Sequence, residues 1–402
     1  MAERPTPTTG GEQSDGSGDD GGPIGRLTSR VGSHVAWIDR SLVGLCLAST
    51  LVVVLAGFVQ VRYGSYDMRI GEVFWAVLDP NVLLDPRWML NFLVGEDLMR
   101  AITGFEGELP ELPPETLIVW TIRLPRVFVA VLVGMNLALS GAIFQAVTRN
   151  ELASPYILGV SSGAGLAILL TLVMYAGLAA YLPIIAAAGG ALAFLIVYAI
   201  AWQHGTSPVR LVLAGVIVGT VFQSLQTALF FFADDIGVVQ TAIQWTTGSL
   251  TGVEWEEARI VLPWSIVVVA LALAGARQLN VLQLGERTAS SLGMNVERMR
   301  FGLSGIAVLA ASASIAVAGI VSFVGLIVPH VVRSVVGSDY KKIVVGCLFV
   351  GPALMVAADV GARLFFPVVM DVQKQMPVGI VTGLIGGPYF LYMMRRKNLG
   401  EI

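Results

Sequence analysis

The chain has 402 residues, 55% of them hydrophobic and 13% charged, with a net charge of −3 and a mean hydropathy of +0.76. Soluble domains carry about 25% charged residues, so this composition excludes an ordinary soluble protein and places the chain among polytopic membrane proteins. The basic residues fall in short clusters between apolar runs and the net charge is small, which gives no footing for a nucleic-acid partner.

The first 33 residues are rich in Gly, Asp, Ser and Thr. They cannot bury enough apolar surface to order themselves, and they lack the basic start, short apolar core and cleavage site of a signal peptide. Residues 1–40 are therefore predicted to be a disordered, acidic cytoplasmic tail. A membrane-crossing helix needs roughly 20 apolar residues. Segments approaching that length lie at 41–61, 126–147, 156–176, 181–202, 209–232, 258–276, 300–320, 323–337, 343–363 and 378–394. They predict an all-α, ten-helix transmembrane domain over 41–397, with 398–402 as a short cytoplasmic end.

Charge near the span ends sets orientation. With ten spans, Arg26, Arg30 and Arg40, Arg149, Arg210, the 277–300 arginines, Lys341 and Lys342, and the Arg395–Lys397 cluster all share one side with both termini. That side is expected to be the cytoplasm, in a multi-pass protein of the cell membrane surrounded by lipid. Residues 62–120 then form an outer loop, with ten acidic residues against four arginines. Small residues recur every fourth position at Gly134, Ala138, Ala142 and Ala146, and again at Ala310, Ser314 and Ala318; such stripes let helix backbones approach closely in lipid. Cys46 and Cys347 lie far apart inside apolar runs and read as small buried hydrophobes.

Polar groups inside a membrane face protein or water, so the polar motifs carry the functional reading. In chain order they are RLPR at 123–126, RNELASPYILGVSSGAG at 149–165, WTTGSL at 245–250, LGERTASSLG at 284–293, GIVSFVGLIVPHVVRSVVG at 319–337, Asp359 with Arg363, and PVGIVTGLIGGPYF at 377–390. Taken together and in this order, they resemble the FecCD-type permeases, the membrane subunits of ATP-binding-cassette (ABC) importers for iron–siderophores, haem and cobalamin. The resemblance runs from about residue 41 to 397; the acidic tail and the long 62–120 loop depart from it.

The resemblance implies a type II importer permease. It would work as a homodimer, with the pathway at the dimer interface, two ATP-hydrolysing subunits inside and a substrate-binding protein outside. Arg123, Arg126 and Arg363 would receive glutamates of that binding protein, since guanidinium groups pair bidentately with carboxylates. Interfacial anchoring is the alternative, or for Arg363 an i,i+4 pair with Asp359. Residues 278–299 would hold the coupling helix seated on the ATPase, with Gly285 and Gly293 bracketing Glu286, Arg287, Ala289 and Leu292. A cytoplasmic gate would lie at Thr206, Ser207 and Pro208. Pro329 is expected to interrupt the short eighth helix, leaving His330 and Arg333 near the inner face as part of a broken element, or as simple anchors.

The chain lacks a G-x-x-x-x-G-K-[ST] phosphate loop, so ATP and Mg would be used by a partner and this chain would bind no cofactor or metal of its own. His34, His204 and His330 are scattered, and no catalytic constellation is legible. An ion-coupled secondary transporter is the competing reading; it calls for intramembrane carboxylates and an inverted repeat, neither of which stands out.

Overall fold

A computed structural model describes residues 39–398 apart from 64, 65, 67, 106, 108, 204, 234, 373 and 374. Residues 1–38 of the predicted N-terminal tail and the end beyond 398 lie outside the described residues, as do His34 and His204; Arg40, placed in the tail, opens the first helix. Among the described residues the fold is all-α, and each of the ten predicted segments carries a helix. These are α1 (Arg40–Arg62) and, after an intervening group of short helices α2–α6, α7 (Leu124–Thr148), α8 (Val160–Met174), α9 (Leu182–Ala201) and α10 (Pro208–Phe230). Then follow α11 (Ile236–Thr247), α12 (Trp255–Gln283), α13 (Glu286–Ser291), α14 (Val296–Ala318), α15 (Val324–Val336), α16 (Tyr340–Met370) and α17 (Val378–Asn398). Seven of the helical segments are long and apolar enough to cross a membrane; α8, α15 and the apolar part of α17 are shorter.

Helix α7 is the axis of the bundle. It packs against α12, α14, α15 and α16, and almost every residue from Val129 onward is buried. Glycines bring its backbone close to its neighbours. A Cβ on Gly134 would meet the Gly351 carbonyl of α16 at 2.4 Å, and one on Gly141 would meet the Gly325 carbonyl of α15 at 1.7 Å. Gly163 of α8 and Gly189 of α9 approach in the same way. In contrast, α1 and α10 are little buried by the rest of the chain, and Leu47, Leu51 and Leu55 of α1 are exposed as lipid-facing groups would be.

Two expectations change here. First, Pro329 does not break its helix. Helix α15 runs from Val324 to Val336 with Pro329 inside it. The reversal lies earlier, where Gly319 and Phe323 both adopt φ of +67°. Gly319 sits against the Trp245 carbonyl, too close for any Cβ, and the Ile320 N–H donates to that carbonyl at 2.8 Å. Proline removes the N–H that would reach the carbonyl four residues back, that of Gly325. That carbonyl is the group that faces Gly141 of α7.

Second, residues 62–120, expected as an outer loop, carry short helices. They form α2 (Ile70–Val77), α3 (Pro80–Leu83), α4 (Pro86–Val94), α5 (Glu96–Thr103) and α6 (Pro114–Ile118), which runs through a wide turn at 119–123 into α7. Asp79 and Asp85 accept the first free N–H groups of α3 and α4, and proline opens α3, α4 and α6. The group has its own core of Val61, Met68, Val73, Ala76, Val82, Phe92, Val119 and Trp120. Phe92 stacks on Trp88, Trp120 and Trp255 with ring centres 5.4, 5.5 and 5.6 Å apart, and the last of these ties the group to the first turn of α12.

Candidate functional site

Three features concentrate polar chemistry. At the end of the bundle where α7 begins, a cavity of about 420 Å³ is lined by Arg123, Arg126, Arg363, Glu254, Thr251 and Gln375, with Tyr66, Ile118 and Ile122 completing its wall. The arginines expected to receive carboxylates of a binding protein are largely consumed within the chain. Arg126 is buried and grips Asp359 with Nε and Nη2, each at 2.8 Å, while its Nη1 donates to Gln375 at 2.6 Å. Arg123 is buried too and donates to the carbonyls of Val61, Arg62 and Tyr66, tying the end of α1 to the start of α7. Asp359 also accepts from Gln60 at 2.7 Å. The i,i+4 pairing of Asp359 with Arg363 is thus replaced by a pairing with Arg126, 233 residues away. Half-buried Arg363 donates to the Gln60 carbonyl at 3.0 Å. The three side chains are brought together as expected, but two of them hold the fold as they line the cavity.

At the opposite end, α13 lies between Gly285 and Gly293, whose φ values of +100° and +82° turn the chain sharply on both sides. Ala289 is fully buried, whereas Arg287, Leu284 and Leu292 are exposed. Glu286 reaches Arg300 at 2.6 Å. Thr206 is buried beside Ser207, which caps α10 by accepting from the Arg210 N–H at 3.2 Å, and Pro208 opens that helix. Nearby, Glu151 of the α7–α8 turn pairs with Arg333 at 3.2 Å and lies 3.9 Å from His330. Arg333 also donates to the Tyr340 hydroxyl at 3.0 Å and to Gln145 at 3.3 Å. His330 and Arg333 therefore join α15, α16 and the α7–α8 turn. Sequence reasoning missed Glu151, Tyr198 and Glu297 as partners; only the i,i+3 spacing of Glu297 and Arg300 was there to be seen.

Between the two ends, α10 exposes Thr220, Gln223, Ser224 and Thr227 along one face, at i, i+3, i+4 and i+7. The three hydroxyls turn back to carbonyls of their own helix. Among the described residues no group of three or more His, Cys, Asp or Glu is placed to hold a metal ion.

A family model described as the FecCD transport family matches residues 52–396. The chain belongs to that family. Among FecCD relatives it is 41% identical over 287 residues to the Fe(3+)-citrate import system permease protein YfmD of Bacillus subtilis, covering 71% of this chain and 84% of the relative. It is 39% identical to the cobalamin import system permease protein BtuC of Halobacterium salinarum, over 71% of this chain and 76% of the relative. To the hemin transport system permease protein HmuU of Yersinia pestis it is 37% identical, over 79% and 98%. A solved chain described as an inward-facing metal-chelate type ABC transporter superposes with a TM-score of 0.70 at 24% identity, covering 88% of this chain and 99% of that one. The fold is thus that of a type II ABC importer permease, and the FecCD chain described here is a multi-pass membrane protein.

Proposed function

We propose that this chain is the permease subunit of an ABC importer that moves a metal chelate, an iron–siderophore, haem or a corrinoid, into the cytoplasm. Two copies would form the pathway, with α10 lining it. The single observation that carries this reading is the polar face of α10. Hydroxyls bonded to their own helix are tolerated facing lipid, but the exposed Gln223 amide calls for water or a polar cargo. An ion-coupled carrier would instead place titratable carboxylates along such a face, and none of these four residues is one.

In this reading both termini and α13 lie in the cytoplasm, and α13 seats on an ATPase subunit that uses ATP and Mg. The permease itself carries out no chemistry and needs no cofactor. The arginine cavity faces outward and receives carboxylates of a substrate-binding protein. Arg363 is the group best placed to do so, since its recorded hydrogen bond is to one backbone carbonyl. Arg363→Gln should weaken binding-protein docking about tenfold, roughly 1.4 kcal/mol, and the difference should shrink as salt rises. Titration of the binding protein onto permease nanodiscs at two ionic strengths checks this.

The deciding experiment is purification of tagged permease from native membranes in mild detergent, with mass spectrometry of what accompanies it. An ATPase with a phosphate loop and an exported binding protein are expected. A particle that holds no ATPase yet transports in proteoliposomes without ATP would overturn the importer reading and favour the secondary transporter.

A further inference from the structure

Arg300 sits in the first turns of α14 with its side chain only 2% exposed. A guanidinium group stays charged at any physiological pH, and a buried charge is held only where partners satisfy it. Its partners come from different parts of the chain. Nη2 meets Glu286 of α13 at 2.6 Å. Nη1 donates to the Thr206 carbonyl and lies 3.6 Å from Glu297. Glu297 in turn accepts from the Thr206 N–H at 3.0 Å, from its hydroxyl at 2.8 Å and from the Tyr198 hydroxyl of α9.

The 205–208 turn is itself braced. Arg210 donates to the Gly205 carbonyl at 2.8 Å, to Ser207 Oγ at 3.2 Å and to Gln203 at 3.0 Å. The turn is therefore stiff and continuous with the start of α10. By contrast α13 has six residues between two glycines at positive φ, and an exposed outer surface. The bond from Glu286 to Arg300 runs from this short element to the group that holds the braced one.

We propose that Arg300 is a positioning residue that makes α13, the start of α14 and the 205–208 turn move as one body, so that displacement of α13 is delivered to the foot of α10. This rests on the reading of α13 as the ATPase contact, but the link itself is a property of the chain alone. Force on Leu292 and Arg287 at the exposed surface passes through Glu286 to Arg300, and from there to the Thr206 backbone. The face of α10 that bears Thr220, Gln223, Ser224 and Thr227 begins three turns further on.

The test is hydrogen–deuterium exchange of the full chain in nanodiscs. Glu286→Gln removes the charge at a side chain 48% exposed, and Arg300 keeps Glu297 and the Thr206 carbonyl as partners. It is expected to raise exchange of the Thr206 amide about tenfold, while Arg287→Gln, one residue along the same helix, leaves it unchanged. An unchanged Thr206 amide in Glu286→Gln, or an equal rise in both variants, overturns the link. In the complex with the co-purifying ATPase, Mg-ATP with vanadate should alter exchange at 203–208 in the wild-type chain and not in Glu286→Gln. If the wild-type turn ignores the nucleotide while the nanodisc result stands, the link survives and the reading of α13 as the ATPase contact falls.

Discussion

Arg126→Met is expected to destabilise the protein by about 3–5 kcal/mol, the cost of leaving one partner of a buried ion pair alone. Asp359 is 1% exposed and takes two hydrogen bonds from Arg126, so the substitution strands a carboxylate with Gln60 as its one remaining recorded donor. Thermal unfolding in detergent followed by tryptophan fluorescence measures the loss. The double variant Arg126→Met with Asp359→Leu should recover most of it, because replacing both charges by apolar groups of similar size is often near neutral. If Arg126→Met unfolds at the wild-type temperature but no longer binds the substrate-binding protein, the ion pair is not structural and docking is the main role of Arg126.

Gly141→Ala should cost about 3 kcal/mol, the upper end of the range for overpacking. Its Cβ would lie 1.7 Å from the Gly325 carbonyl oxygen and 2.4 Å from the carbon, and backbone cannot rotate away as a side chain can. The variant should accumulate poorly and unfold early, with α15 displaced from α7. Gly305→Ala is the matched control. That helical glycine has open space around its Cβ position, and alanine there should gain about 0.5–1 kcal/mol from helix propensity. Equal behaviour of the two variants in a thermal melt would contradict the close approach of α7 and α15.

The apolar segments were legible as helices because apolar length is a local property; each predicted segment contains a helix, and seven helical segments among the described residues are long enough to cross a membrane. Arg123, Arg126 and Arg363 were legible as a group, since their motifs resemble those of the FecCD permeases, and all three line one cavity. Their burial was not, because the partner of Arg126 lies 233 residues away and hydropathy cannot report a pairing. Pro329 was misread for a similar reason. A proline disfavours a helix interior locally, but whether the helix runs on past it is decided by the packing around it, as between α15 and Gly141 of α7. The helices of 62–120 are four to nine residues long, too short for periodicity to reveal. The Asp-Pro pairs at 79–80 and 85–86 did carry the signal, as a capping residue followed by the proline of a first helical turn. At the other end, the glycine brackets marked α13, but nothing local showed that Glu286 and Thr206 meet through one arginine.

Three of the chain's eight tryptophans, Trp88, Trp120 and Trp255, surround Phe92 within 5.6 Å. Indoles held in fixed mutual orientation give strong near-ultraviolet circular dichroism, so this cluster is a native optical probe. It joins the inserted helices to α12 and lies close in sequence to Ile118, Ile122, Val253 and Glu254, which line the arginine cavity. Occupancy of that cavity can therefore be followed without a label. Phe92→Leu, which removes the central ring, should silence the signal while leaving the cavity arginines in place.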